Sequence, residues 1–417
     1  MIPLVLDEIE ALCPGELERV PGARAATGVQ IDSRRIVSGD LFVGVGDGRA
    51  FADDARARGA AAVLVPEDAF TALAALASAL RRRSNARVVA ITGSTGKTST
   101  KDILASICAP RARTVAAEAS YNNELGVPLT LCRLEPDTEI CIVEIAMRGL
   151  GQIAAMADVA RPTIAVVTNV GPAHVELVGS LDGIVRAKTE LIDALPPGGV
   201  AIVPDSFPVR REGIEIVRFG EPDARVDDGA TRLRFEGREI VFDFRARHQA
   251  RNALASLHAA HALGLDVSGS IQVSFSPWRG EEVALPGGGL LVNDSYNANP
   301  TSMQAALEDL VDRAEGRRTV VVLGDMAELG ADSPAYHREI GALAAEVGID
   351  ALVAVGDLAR NYLDVAEGIP VTAWAPNANA AISEARRLVE PGDCVLVKGS
   401  RAVGLEVVAG ALAGVPV

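Results

Sequence analysis

The sequence predicts an α/β protein of three domains, with a phosphate-binding loop in the central domain and a smaller doubly wound domain at the C-terminus. Three observations carry this expectation. Short apolar runs alternate with helical stretches through most of the chain, the pattern of parallel sheets covered by helices on both faces. A Gly-x-x-Gly-Lys-Thr string stands between one such run and a helix. The alternation restarts twice, after Ser84-Asn85-Ala86 and after Pro277-Trp278-Arg279-Gly280. A chain of 417 residues has room for two or three domains of roughly 150 residues, each burying its own core.

Composition narrows the class. The chain is 49% hydrophobic and 23% charged with 4% aromatics, which excludes disorder and collagen-like repeats. A net charge of −15 argues against nucleic acid and anionic membranes as partners, so a polyanionic ligand needs a local pocket. Five cysteines, at 13, 108, 132, 141 and 394, show no CxxC spacing, and their odd number argues against a secreted disulfide framework. They read as small buried hydrophobes in a reducing cytosol. Met1–Glu10 turns acidic without a basic leader, and the longest apolar stretch, Ala69–Leu80, is too short for a bilayer. A cytoplasmic protein with no membrane insertion is expected. Of the 40 basic residues only Lys97, Lys101, Lys188 and Lys398 are lysines. Codon bias accounts for the ratio, yet where chemistry needs a primary amine, arginine cannot replace it.

In order, residues 1–84 form a small α/β domain, with strands at Gly28–Ile31, Leu41–Val45 and Ala61–Val65 and helices around Ala52–Arg58 and Ala69–Leu80. Residues 85–283 form the central domain. Its strands are Val88–Thr92, Ile140–Ile145, Thr163–Val170 and Val200–Val203, with a helix at Thr98–Cys108. A hairpin of Leu233–Phe235 and Ile240–Phe244 is expected to join that sheet, and Gln249–Leu263 is an Ala-rich helix. Residues 284–417 carry strands at Leu290–Asp294, Thr319–Leu323, Ala351–Val355 and Cys394–Val397. Helices are expected there at Ser302–Ala314, Ala335–Glu346, Ala378–Leu388 and Leu405–Leu412.

Chemistry concentrates in three clusters. Gly93, Ser94, Thr95, Gly96, Lys97, Thr98 and Ser99 follow a strand and open a helix, so backbone N–H groups and the helix end can cradle a polyphosphate. Lys97 would reach the outer phosphates and the Thr98 hydroxyl would hold Mg²⁺. Glu144 and His174 lie at strand ends and Lys188 in a helix, and together they suggest a second hard-cation site. Singly, each has a structural role open to it: a helix cap, a turn histidine, a solvated helix face. The third cluster combines His248, Asn252, Arg279, Asp294 and Tyr296, with Asp294-Ser295-Tyr296-Asn297-Ala298-Asn299-Pro300 directly after a strand.

These strings resemble those of the Mur ligases of peptidoglycan synthesis. The resemblance runs nearly end to end. It rests on Asp32-Ser33-Arg34, on Gly93–Thr98, on Asn122-Asn123-Glu124-Leu125-Gly126-Val127-Pro128, on Asn169–His174 and on Ala187-Lys188-Thr189-Glu190. Asp294–Pro300, Leu323–Gly330 and Val397-Lys398-Gly399-Ser400-Arg401 complete it. The Asn-Asn-x-x-Gly-Val-Pro, the Ser-Tyr-Asn-Ala-Asn-Pro and the Gly-Asp-Met-x-Glu-Leu-Gly strings resemble those of the branch that adds D-alanyl-D-alanine. The resemblance implies an N-terminal domain for the UDP part of the substrate, a central P-loop ATPase domain and a C-terminal Rossmann-like domain. It implies an ATP-dependent ligase that joins UDP-N-acetylmuramoyl-tripeptide to D-Ala-D-Ala through an acyl phosphate, acting as a monomer. Lys97, Glu144, His174 and Lys188 then carry catalysis. Thr98, Glu144 and His174 match the family's Mg²⁺ positions, with two ions expected, and Lys188 its carbamylated lysine. His248, Asn252, Arg279, Asp294 and Tyr296 fall where the family contacts nucleotide, and Ser33, Asn122, Asn123, Asp325 and Lys398 are candidate substrate contacts. The segment Gly44–Phe51 is shorter than usual, and Trp278-Arg279 stands in place of Gly-Arg. A ligase for other acid and amine substrates, and a P-loop ATPase that makes no bond, stay open as alternatives.

Overall fold

The structure is a computed structural model and describes residues 1–172 and 175–414. The N-terminal domain is built on a sheet ordered Gly15–Arg19, Ala62–Pro66, Asp40–Val43, Gly28–Gln30, antiparallel in its first pair and parallel in the rest. Its long helix, Ala69–Arg83, starts where the Asp68 carboxylate accepts from the Thr71 N–H at 3.0 Å. Ala72, Leu73, Leu76, Ala77 and Leu80 recur at helical spacing and form its buried face. The helix continues past Leu80 because three arginines suit the negative helix end, and Arg81 donates to the Ala160 carbonyl of the next domain at 2.8 Å. Ser84 then stops it, its hydroxyl accepting from the Ala86 N–H at 3.1 Å.

The central sheet is fully parallel. Its order is Glu215–Phe219, Val200–Pro204, Ile164–Val167, Arg87–Thr92, Ile140–Glu144, Thr114–Ala116. Alternate side chains feed two cores. Val88, Ala90, Val143 and Val167 share one with the N-terminal domain, while Val89, Ile91, Ile142 and Val166 face the helices Lys97–Cys108 and Arg247–Ala262. The Ser256 hydroxyl ties those two helices by donating to the Thr100 carbonyl at 3.0 Å.

The expected hairpin exists but does not extend this sheet. Ala230–Phe235 and Arg238–Phe242 pair with each other, with Ala224–Asp227 on one side and Gly269–Ile271 on the other, as a separate four-stranded sheet. Glu236 and Gly237, both at positive φ, form its tight turn. The 163–170 run ends its strand at Val167; the Thr168 N–H still donates to the Thr92 carbonyl at 2.9 Å, while the Thr168 hydroxyl and the Asn169 amide bond the phosphate loop.

The C-terminal sheet runs Glu281–Ala284, Leu290–Asp294, Cys394–Lys398, Thr319–Gly324, Ala351–Val355, Val371–Ala375, parallel except for its first pair. The two outer strands, Glu281–Ala284 and Val371–Ala375, lay outside the sequence expectation. Neither is a continuous buried apolar run, since both are edge strands. All five cysteines are free and buried. Among the described residues, no helix is long and apolar enough to cross a membrane.

Helix Ser333–Glu346 offers a test of packing against propensity. Replacing an interior helical glycine by alanine normally gains about 1 kcal/mol. At Gly341, however, an added methyl carbon would lie 2.3 Å from the carbonyl oxygen of buried Tyr362. Gly341→Ala is therefore expected to destabilise by about 1–3 kcal/mol, the usual cost of overpacking. A urea melt should show a lower midpoint at unchanged slope, and a raised midpoint would refute the packing argument.

Candidate active site

The C-terminal ends of the central strands open into a cleft of about 830 Å³ bounded by the central and C-terminal domains. The phosphate loop forms its floor. Gly93 leaves the strand where any side chain would strike Thr168, an added methyl lying 1.8 Å from its hydroxyl oxygen. Gly96 takes φ +76° as the N-cap of helix Lys97–Cys108, with Asn252 Oδ1 only 2.4 Å from where a methyl would stand. The loop is clamped from below: Ser94 Oγ donates to the Gly171 carbonyl at 3.0 Å, and the Thr95 N–H donates to Asn169 Oδ1 at 2.9 Å. Lys97 curls back so that its ammonium donates to the Gly93 carbonyl at 2.8 Å.

Thr98 sits at the centre. Its hydroxyl donates to Glu144 Oε2 at 2.8 Å and accepts from Arg279 Nη2 at 2.9 Å. The second Glu144 oxygen accepts from Asn122 Nδ2 at 2.7 Å, so both carboxylate oxygens are engaged. Arg279, on the linker into the C-terminal domain, lies 4.1 Å above the Tyr296 ring, and its buried Nε has no hydrogen-bond partner among the described residues. A buried guanidinium edge without an acceptor, beside a half-buried lysine and a glycine loop, is what an incoming phosphate chain would satisfy. Trp278, one residue earlier, takes the left-handed φ of +62°, which glycine would adopt without strain. Arg401 lies over its ring at 4.6 Å.

The remaining candidates divide. Asn123, Ser99, Asp294 and Lys398 line the cleft with His248 and Asn252. Asn123 also caps helix Gly126–Leu131, its Oδ1 accepting from the Gly126 N–H at 2.9 Å, so its side chain has a structural duty. Lys398 donates to Asp294 Oδ2 at 2.5 Å and to the Asn297 carbonyl at 3.0 Å. Burial lowers the His248 pKa and raises that of Tyr296. Lys188 is buried behind the cleft, on helix Leu181–Asp193, and its ammonium has no partner among the described residues. Burial, helped by the charge on Lys97, pushes its pKa well below the usual lysine value. Ser33 is buried in the N-terminal domain, away from the cleft lining. Asp325 also lies off the lining: its carboxylate accepts from the Ala359 N–H at 2.7 Å and packs against Gly356, pinning a C-terminal loop. His174 lies outside the described residues.

Residues 117–121, just ahead of Asn122, lie outside the sequence expectations. Residues 117–122 are held from every side: Ala117 by the Lys101 ammonium at 3.0 Å, Glu118 by Arg35 of the N-terminal domain at 2.7 Å, and Ser120 by the Tyr296 hydroxyl of the C-terminal domain. Lys101 also pairs with Asp102 at 2.5 Å, and Asp102 accepts from the Ser276 N–H at 2.8 Å, which anchors the linker ahead of Arg279. The scarcity of lysine was the one available signal for Lys101.

Comparison with known proteins fits this geometry. Residues 91–260 match the Mur ligase middle domain, and residues 278–401 match the domain described as "Mur ligase, glutamate ligase domain". The UDP-N-acetylmuramoyl-tripeptide–D-alanyl-D-alanine ligase of Escherichia coli is 33% identical, covering 99% of both chains. This chain belongs to the Mur ligase family, in its MurF branch. The crystal structure of MurF from Acinetobacter baumannii superposes with a TM-score of 0.84 at 28% identity over 99% of each chain. MurF from Thermotoga maritima, solved with ADP, gives 0.78 at 26% identity over 93% of this chain and 97% of its own. A three-domain, ATP-dependent ligase follows from membership.

The cradle can be tested at Gly96. Alanine there meets both the left-handed backbone penalty of about 1–2 kcal/mol and the Asn252 amide. ADP affinity measured by calorimetry should fall about tenfold or more, with the far-UV spectrum unchanged. Wild-type affinity would mean that the loop does not hold phosphate in this form.

Proposed function

We propose that this Mur ligase adds D-alanyl-D-alanine to UDP-N-acetylmuramoyl-tripeptide in the cytoplasm, giving the pentapeptide precursor of peptidoglycan. The observation that carries the reading is the Thr98 hydroxyl held between Glu144 and Arg279 at the mouth of a phosphate loop. Relatives bearing that activity in their names match the chain over almost its whole length.

The site chemistry suits such a reaction. A carboxylate is a poor electrophile, and bringing it to a triphosphate sets anion against anion. Lys97 and Arg279 supply positive charge where the outer phosphates would lie, and the loop N–H groups do the same without reorganising. The carboxylate oxygen bonds to the γ-phosphorus as the bond to the β-bridging oxygen breaks, leaving ADP. The dipeptide amine then attacks the acyl carbon, inorganic phosphate departs, and the amine proton passes to solvent or a nearby base. Closing the cleft by the C-terminal domain keeps water from the acyl phosphate.

Thr98 and Glu144 are hard oxygen donors that fit Mg²⁺. Among the described residues no group of three His, Cys, Asp or Glu side chains stands close enough to hold a metal ion. Bound at Thr98 and Glu144, Mg²⁺ would neutralise phosphate charge during transfer. Lys188 is read as an N-carbamate, formed by attack of its unprotonated amine on CO₂ with loss of a proton. Burial lowers the pKa of that amine, which favours its unprotonated form, and the carbamate would present an anionic oxygen toward a second ion. The short Gly44–Phe51 segment, wound as a 3₁₀ turn over Gly46–Phe51, supports a second reading in which the acid substrate differs. Incubation with ATP, Mg²⁺, D-Ala-D-Ala and UDP-muramoyl-tripeptide, followed by mass analysis for the pentapeptide, separates the two.

The carbamate makes its own prediction. Lys188→Ala should lose about 10²–10³ of turnover and recover part of it with small carboxylates. Lys188→Arg should be inactive and stay so, because a guanidinium fills the space. In ¹³C-bicarbonate the unsubstituted protein should show a carbamate carbon that Lys188→Ala lacks; no such signal, or an active arginine variant, would overturn the assignment.

A further inference from the structure

The basic side chains lining the cleft are nearly all committed. Arg247 pairs with Asp312, Arg251 with Glu221, Lys398 with Asp294 and Arg401 with Glu406. Arg279 donates to Thr98 and lies on Tyr296, and Lys97 reaches back to the Gly93 carbonyl. Arg148 also lines the cleft, is exposed, and its guanidinium has no hydrogen-bond, ion-pair or aromatic partner among the described residues.

Its backbone, by contrast, is tightly held. The loop leaves strand Ile140–Glu144 just after Glu144, at the strand end where ligand crevices lie in open parallel sheets. The Ala146 N–H donates to the Asn122 carbonyl at 2.9 Å, and the Arg148 N–H donates to Gln152 Oε1 at 2.6 Å. The Glu190 carboxylate accepts from the N–H groups of Gly151 at 2.7 Å and Ala154 at 3.0 Å, fixing the start of helix Gln152–Ala160. A fixed loop that presents one free guanidinium into a reaction cleft is preorganised for an anion.

We infer that Arg148 binds a non-reacting carboxylate at the junction of the two peptide substrates, on the third residue of the tripeptide or at the end of the dipeptide, and so contributes to their selection. The inference rests on the ligase reading above. In that reading the phosphates already have the loop, Lys97 and Arg279, and the reacting carboxylate lies at the γ-phosphoryl. What remains anionic on the peptide side is carboxylate, and a planar guanidinium fork matches it with two parallel hydrogen bonds. The glutamyl residue of the tripeptide keeps a carboxylate in every arm of the test, one residue back from the bond being formed. At the junction itself two sources carry that chemistry: a side-chain carboxylate on the third residue of the tripeptide, or the terminal carboxylate of the dipeptide.

Kinetics on Arg148→Gln and Arg148→Lys distinguish them. One arm compares UDP-muramoyl-tripeptides ending in meso-diaminopimelate, which bears the extra carboxylate, and in L-lysine, which does not. The other compares D-Ala-D-Ala with its C-terminal amide. In one arm the unsubstituted enzyme should prefer the carboxylate-bearing member. Arg148→Gln should lower kcat/KM for that member about 10–100-fold while leaving the neutral analogue nearly unchanged, the range expected for a charge-assisted hydrogen bond. Arg148→Lys should retain part of the preference. The arm that responds names the source. Preference ratios unchanged in both arms would overturn the inference, as would an Arg148→Gln variant whose principal defect is weaker ADP binding, since that marks a phosphate contact. Pentapeptide formation by the unsubstituted enzyme tests the ligase reading separately, and its absence would remove both.

Discussion

The Thr98 hydroxyl is where three parts of the chain meet. It belongs to the phosphate-loop helix, donates to a carboxylate at the end of a neighbouring strand, and accepts from an arginine on the linker to the C-terminal domain. Because a hydroxyl has one proton and two lone pairs, these contacts orient it completely. The linker arginine is therefore registered against the phosphate loop, and the C-terminal sheet that follows takes its position from that registration. The left-handed backbone at Trp278 and the Arg401 guanidinium over its ring belong to the same constraint, since both shape the short path between the domains.

Segment 117–122 extends the constraint to the first domain. It has little regular structure of its own, yet it accepts from Arg35 and Lys101, shares a hydroxyl–hydroxyl bond with Tyr296 and presents Asn122 to Glu144. A segment with partners in all three domains is shaped by their arrangement as much as by its own sequence. Ala119, at φ +44°, shows that the backbone accepts an uncommon conformation to satisfy them. The core shared by the N-terminal domain and one face of the central sheet makes that arrangement apolar as well as polar.

What was legible in the sequence was what is local. The phosphate loop is a contiguous string in its own strand–helix context, and its glycines answer to contacts a reader can anticipate. The hairpin turn at Glu236-Gly237 was equally local, but the sheet it joins depends on Phe242 meeting Ile271, which no short window reveals. Edge strands such as Val371–Ala375 escape because half-exposed strands lose the apolar run that marks buried ones. Asp325 stood in a family string, and its carboxylate nonetheless serves the Ala359 N–H. Ser276 and Lys101 are 175 positions apart, so their contact exists only in three dimensions. Arg148, one of many arginines in the sequence, is set apart only by the partners that the other cleft cations have and it lacks.

The distribution of lysine has a practical side. Lys97 is half-buried in the phosphate loop, and Lys101, Lys188 and Lys398 are buried at or beside the cleft. The outward surface thus carries its side-chain positive charge wholly as guanidinium, which amine-directed reagents ignore. Acylating probes, cross-linkers and resin-coupling chemistries that decorate most proteins at random would find no exposed lysine here. Any lysine labelling that does occur must enter the cleft or await its opening, so its rate becomes a direct measure of how often the reaction chamber admits solvent.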